Sequence, residues 1–205
     1  MNKKIGMVSA IINIGAVAGF ALCMPLQCAF GNYATSIFIA FSFVSMICAF
    51  AAQGKPESKT AGNIAMIFAG MYAAMNVSVY FTQLTTVRLE SLTRQAKSLL
   101  DFTAFGLFFN FDLLGYCLMA LSTFFAGMTV AVKTKSDKAL KVLLMIHGAF
   151  APGCFIIPML GVFRGDMQGA DWIGTAILEF WCVYFIPVGI LSLLYLRRNK
   201  AALEG

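Results

Sequence analysis

The sequence predicts an all-α membrane protein: a bundle of six membrane-spanning helices with an amphipathic interfacial helix between the third and the fourth. Of its 205 residues, 60% are hydrophobic and 12% charged, with a mean hydropathy of +0.82. That leaves too little polar surface to cover a soluble globule. With 20 Phe and 12 Met the chain has ample surface to bury, which excludes disorder. The apolar residues come in continuous runs rather than in alternation. This favours helices over a barrel, because a lipid-exposed backbone must satisfy its hydrogen bonds within each span.

Six runs reach the about 20 residues needed to cross a hydrocarbon core. They lie near 5–30, 33–52, 61–84, 105–132, 140–163 and 172–196, in a single membrane domain over 1–205. The first resembles the start of a signal peptide, but it runs past Pro25, too long for such a segment. Neither Cys23, after Leu22, nor Cys28, after Gln27, follows the small residue of a lipoprotein cleavage site, so the span is expected to stay. Only Gly31 and Asn32 separate spans one and two, which predicts a tight hairpin there. The stretch 53–60, with Gly54, Pro56 and Ser58, reads as a polar turn. Between spans three and four, TVRLESLTRQAKSLLD at 86–101 places Leu89, Leu92, Ala96, Leu99 and Leu100 on one stripe, the pattern of a helix lying on the membrane surface. It reads either as a plain linker or as a lid. In span five, Pro158 marks the expected break in backbone hydrogen bonding.

Alternating spans sort the basic residues by side. Lys3, Lys4, Lys55, Lys59, Lys133, Lys135, Lys138, Lys141, Arg197, Arg198 and Lys200 fall on the side of the N-terminus; Arg88, Arg94, Lys97 and Arg164 fall on the other. The excess predicts cytoplasmic termini. The compact layout points to a bacterial inner membrane. The net charge of +6 is then a matter of topology and headgroup contact with the lipid bilayer, and no nucleic-acid partner is expected.

Polar residues inside spans are costly and each asks for a reason. Ala69, Ala73, Asn76, Tyr80 and Gln83 share a stripe of span three, and Asp112, Tyr116, Met119 and Thr123 one of span four. Span five contributes His147, Ala151, Cys154, Pro158 and Gly161; span six, Trp172, Thr175, Glu179 and Val183; span one, Asn13, Phe20, Met24 and Gln27. If these faces converge, they line a polar pocket opening outward, built from Gln27, Asn76, Tyr80, Gln83, Asp112, Tyr116, Glu179 and His147 and rimmed by Arg88 and Trp172. The alternative is that Asp112, Glu179 and His147 each find a partner and only fix helix packing.

What is missing also bounds the chemistry. One histidine cannot build a multi-histidine zinc or haem site, the six cysteines include no C-x-x-C pair, and no lysine lies deep in a span. Nucleotide-binding and serine-hydrolase motifs are absent, so neither metal nor cofactor is expected.

YFTQLTTVR at 80–88, followed by FDLLGY at 111–116, resembles a pattern of bacterial six-span membrane proteins of unassigned function. The resemblance covers spans three and four and implies no activity. It falls on Tyr80, Gln83, Arg88, Asp112 and Tyr116, the residues the stripes select. Three readings of function stand: binding, sensing or passing a small amphipathic molecule or lipid; intramembrane acid–base catalysis on a lipid by Asp112 or Glu179 with help from His147; and an accessory subunit acting by packing against a protein partner.

Overall fold

The computed structural model describes residues 2–163 and 171–198, with the backbone alone at 171–173. It is a helical bundle with no strand among the described residues, and six of its segments are long and apolar enough to cross a membrane. The helices are α1 (Asn2–Cys23), α2 (Ala29–Gln53), α3 (Lys59–Thr82), α4 (Arg94–Leu100), α5 (Leu107–Thr129), α6 (Lys135–His147), α7 (Phe150–Met159) and α8 (Asp171–Arg198). Packing follows chain order: α1 on α2, α2 on α3, α3 on α5, α5 on α6 and α7, α6 on α8, and α8 back on α1. The ring encloses a core that runs from Val17, Phe43 and Met46 through Tyr72 and Met119 to Phe185 and Tyr195.

The α2–α3 and α5–α6 connections, the start of α1 and the finish of α8 share one end, the basic end. Here Asp137 closes a capping box with Thr134 at the start of α6 and takes the guanidinium of Arg198 from the last turn of α8. Tyr195 stacks on Phe50 at 5.6 Å and its hydroxyl accepts from the Ala131 amide at 3.1 Å. The last span is thus tied to the second span and to the middle of the chain.

Three boundaries differ from expectation, each for a local reason. The first hairpin turns at 24–28, not at Gly31 and Asn32. Pro25 disfavours a helical Met24, and Gln27 adopts the left-handed φ of 50° that ends the turn. Gly31 lies inside α2, where a side chain would run into Cys23 Sγ, so this glycine serves helix approach rather than a bend. Span five, expected as one helix, breaks at Gly148 and Ala149, because Pro152 cannot donate to the carbonyl four residues before it and its ring crowds that carbonyl, while Pro158 sits inside α7 and leaves a second carbonyl without its helical donor. The break is bridged by Gly148 N–H to Met145 O at 3.1 Å and Ala149 N–H to Ile146 O at 2.9 Å. Beyond it α7 packs on α5 and presents Phe155, Ile156, Met159 and Leu160 to the outside.

The third difference is the expected interfacial helix at 86–101. α3 instead continues through a π-helical turn, Gln83–Val87, and the chain folds back through residues 91–93 into the seven-residue α4, capped by Thr93 Oγ1 accepting from Ala96 N. Leu89 and Leu99, 67% and 45% exposed, fall on two separate helical segments, so the apolar residues do not run along one continuous helix. The helical pattern loses because Gln83 takes up the backbone at 100–102 and pulls the segment over the bundle.

Gly6 measures how tightly the ring closes. A Cβ there would lie 2.6 Å from the Ala49 Cβ and 3.0 Å from a Leu196 methyl, with α2 and α8 both in the way, whereas a Cβ at Gly15 would meet nothing. Gly6→Ala is expected to destabilise the bundle by about 1–3 kcal/mol. Gly15→Ala is expected to be neutral or stabilising by up to about 1 kcal/mol. Unfolding of the two variants in detergent checks the contrast.

A candidate intramembrane polar site

α3 and α5 carry the stripes read from the sequence, and the two stripes meet. Asp112, 3% exposed, accepts from Asn76 Nδ2 at 2.7 Å. Asn76 reaches it only because residue 115 is a glycine: a Cβ there would overlap the Asn76 side-chain oxygen. One turn along each helix, the Tyr80 and Tyr116 hydroxyls lie 3.2 Å apart, and Tyr80 also interacts with the Asp112 carboxyl. Tyr72 tilts against Tyr116, with ring centroids at 6.3 Å. The result is a carboxyl held by an amide with a phenol beside it, while Asn76 Oδ1 is buried with no hydrogen-bond partner. No cation reaches Asp112: among the described residues the ion pairs are Lys97 with Asp101 and Arg198 with Asp137.

The α3–α5 connector covers this cluster. Gln83 is 3% exposed and uses both ends of its amide on the connector, donating to Leu100 O at 2.8 Å and accepting from Phe102 N at 3.0 Å. That bond places the Phe102 ring over Tyr33 and Tyr80, at 6.3 and 6.4 Å, while Tyr33 stacks on Tyr80 at 5.9 Å. Phe105, Phe109 and Phe163 extend the aromatic layer. Gln83 is therefore the latch of the cover rather than a wall of the cluster.

His147 stands apart and its hydrogen bonds are complete. Indole nitrogens only donate, so Trp181 Nε1, 3.0 Å away, requires a bare His147 Nε2. The Thr123 hydroxyl donates to Ala120 O at 2.8 Å, so it accepts from His147 Nδ1, also at 2.8 Å. The directions form one chain, from indole to imidazole to hydroxyl to carbonyl, which fixes a neutral ring protonated at Nδ1. Phe150, Tyr184 and Phe185 surround the ring.

The remaining expected site residues lie elsewhere. Gln27 is exposed in the first turn. Arg88 is exposed, donates to Leu84 O at 3.0 Å, and sits 5.4 Å from the Phe30 ring centroid, away from Asp112. Glu179 is half-buried, with Oε1 buried and lacking a hydrogen-bond partner, and no hydrogen bond joins it to the Asp112 cluster. Its expected neighbour Val183 is 69% exposed, because the buried face of α8 runs through Trp181, Cys182, Phe185 and Val188. Asn13 donates to Ser42 Oγ at 3.0 Å and Ile39 O at 3.3 Å, joining α1 to α2. Arg164 and the side chain of Trp172 lie outside the described residues. Reading by stripe missed Tyr33, Phe102, Gly115 and Trp181. Only Gly115 carried a sequence signal, a lone glycine three residues after a membrane acid. Among the described residues no three of His, Cys, Asp and Glu gather as metal ligands do.

Solid-state ¹⁵N spectra of His147 in bilayers are expected to show a protonated Nδ1 and a bare Nε2 at pH 7. Replacing the ring by Phe strands the Trp181 donor and should cost about 1–3 kcal/mol of unfolding free energy; an Nε2-protonated ring would contradict the chain of donors. In comparison with known proteins, no family model matches this chain, and no curated protein or solved structure does so either.

Proposed function

We propose that this is a bacterial inner-membrane protein with cytoplasmic termini that binds, senses or passes a small amphipathic molecule or lipid at the Asp112 cluster, beneath the α3–α5 connector. One observation carries the reading: a carboxyl buried between membrane spans has an amide as its hydrogen-bond partner, a phenol beside it and no cation. Such a group is costly in a bilayer, and a proton or a hydrogen-bond donor on a ligand would offset that cost. The unpartnered Asn76 Oδ1 offers a second acceptor beside it. The connector supports the lid reading, because one amide, Gln83, holds it down at two backbone atoms. The excess of Lys and Arg at the basic end supports the orientation.

No observation favours the acid–base alternative. It would call on His147, whose two ring nitrogens are both engaged, and on Glu179, which is not joined to Asp112.

Native mass spectrometry of the detergent-extracted protein tests the proposal. Wild type is expected to carry a defined small-molecule or lipid adduct, and Asp112→Asn to lose it about tenfold, a difference of about 1.4 kcal/mol in binding. Glu179→Gln, the matched loss of an acid, should keep it, and Gln83→Leu should exchange it faster. Equal retention in Asp112→Asn, or wild type bare of adduct but holding a partner protein, would overturn the reading; the second result would favour an accessory subunit.

A further inference from the structure

The basic end holds a second candidate site, remote in sequence from the Asp112 cluster and independent of it. A cleft of about 560 Å³ opens between the α2–α3 turn and the place where α5 passes into α6. Lys55 stands on one side and Lys141 on the other, with Ser58, Glu57, Thr129 and Met128 also in the lining. Close packing sets this spacing. Gly127 lets the α6 backbone approach α5, since a Cβ there would lie 3.2 Å from Lys141 O, and Gly54 brings the α2–α3 turn within 3.3 Å of Thr129 Cβ by the same measure.

Neither lysine ammonium forms a hydrogen bond or an ion pair among the described residues, and Glu57 pairs with neither. Ser58, the residue before α3, spends its hydroxyl proton on Lys55 O at 2.9 Å, and the single turn Pro56–Ser58 runs directly into α3 with Lys59 N–H on Pro56 O, so the charge of the two lysines is what the cleft offers an anion. Two unpaired cations facing each other across one cleft call for an anion with more than one oxygen. The apolar part of the lining adds a constraint. Met128 and Val132 are 37% and 50% exposed at the ends of membrane spans, where acyl chains pass. A soluble anion has no use for that surface.

We propose that the cleft binds the phosphate group of an anionic phospholipid, with Lys55 and Lys141 on the phosphate oxygens and the acyl chains descending past Met128 and Val132. The purified protein in detergent, titrated with phosphatidylglycerol or with phosphatidylcholine of the same chains and read by native mass spectrometry, tests this. Wild type is expected to retain one phosphatidylglycerol in preference to phosphatidylcholine. The double variant Lys55→Gln/Lys141→Gln should lower that retention about tenfold, while Lys135→Gln/Lys138→Gln, with the same charge removed from exposed positions of the same end, should not. Equal loss in both double variants would assign the effect to the general field of the basic end and overturn the site. No preference between the two lipids would overturn it as well. Inorganic phosphate that binds wild type without lipid and displaces phosphatidylglycerol at millimolar concentration would give the cleft to a soluble anion and remove the lipid from the proposal. Thermal unfolding of each variant separates lost binding from lost fold.

Discussion

α3 and α5 touch where residue 115 has no side chain, and that single absence organises the half of the bundle away from the basic end. Asn76 fills the space and turns its amide onto Asp112. With the two helices fixed at this depth, the next turn sets Tyr80 against Tyr116, and Ser122 donates to Ala65 O at 2.8 Å toward the other end. Two turns above Asn76, Gln83 emerges where it can hold the connector. In lipid no water stands ready for a polar group that misses its partner, so a small displacement of one helix would strand several groups together. Packing and polar satisfaction are the same constraint here.

The two ends of the ring solve different problems. At the aromatic end the connector brings Phe102, Phe105 and Phe109 together and closes the bundle over its buried carboxyl. The basic end is closed by polar bonds instead: Asp137 collects the backbone of Thr134 and the Arg198 guanidinium, and Tyr195 takes the Ala131 amide. Those bonds join α5, α6 and α8, and they leave Lys55 of the α2–α3 turn unpaired across the cleft from Lys141. Closure at one end and an open charged cleft at the other follow from which residues each connection carries.

Much of this was legible in the sequence because a helix has a fixed period. The span three and span four stripes were read by spacing alone, and Asn76, Tyr80, Asp112 and Tyr116 do come together. The failures are of other kinds. Span six was phased on its polar residue, and Glu179 was grouped with Val183, which faces outward; the aromatic and small residues from Trp181 to Val188 define the buried side. Gly31 was read by residue type, as a turn, where its neighbour Cys23 decided otherwise, and the break in span five follows Pro152, which the reading passed over in favour of Pro158. The 86–101 segment had helical periodicity, but a tertiary hydrogen bond from Gln83 outweighed it, and no local pattern encodes a bond across 17 residues.

His147 and Asp112 were the same kind of observation in the sequence, a titratable group within a span, and the structure separates them. Every hydrogen-bonding atom of the imidazole has a partner whose direction is fixed, so the ring is a completed joint between α5, α6 and α8. To protonate Nε2 would set two N–H groups against each other across 3.0 Å. Asp112 is incomplete in the opposite sense: its partners are neutral, an acceptor beside it is unsatisfied, and its cover hangs on one amide. A bundle that only needed to stay folded could place a leucine at residue 112 and avoid the cost of a carboxyl in lipid. The saturated group belongs to the architecture; the unsaturated one is where a ligand would find work to do.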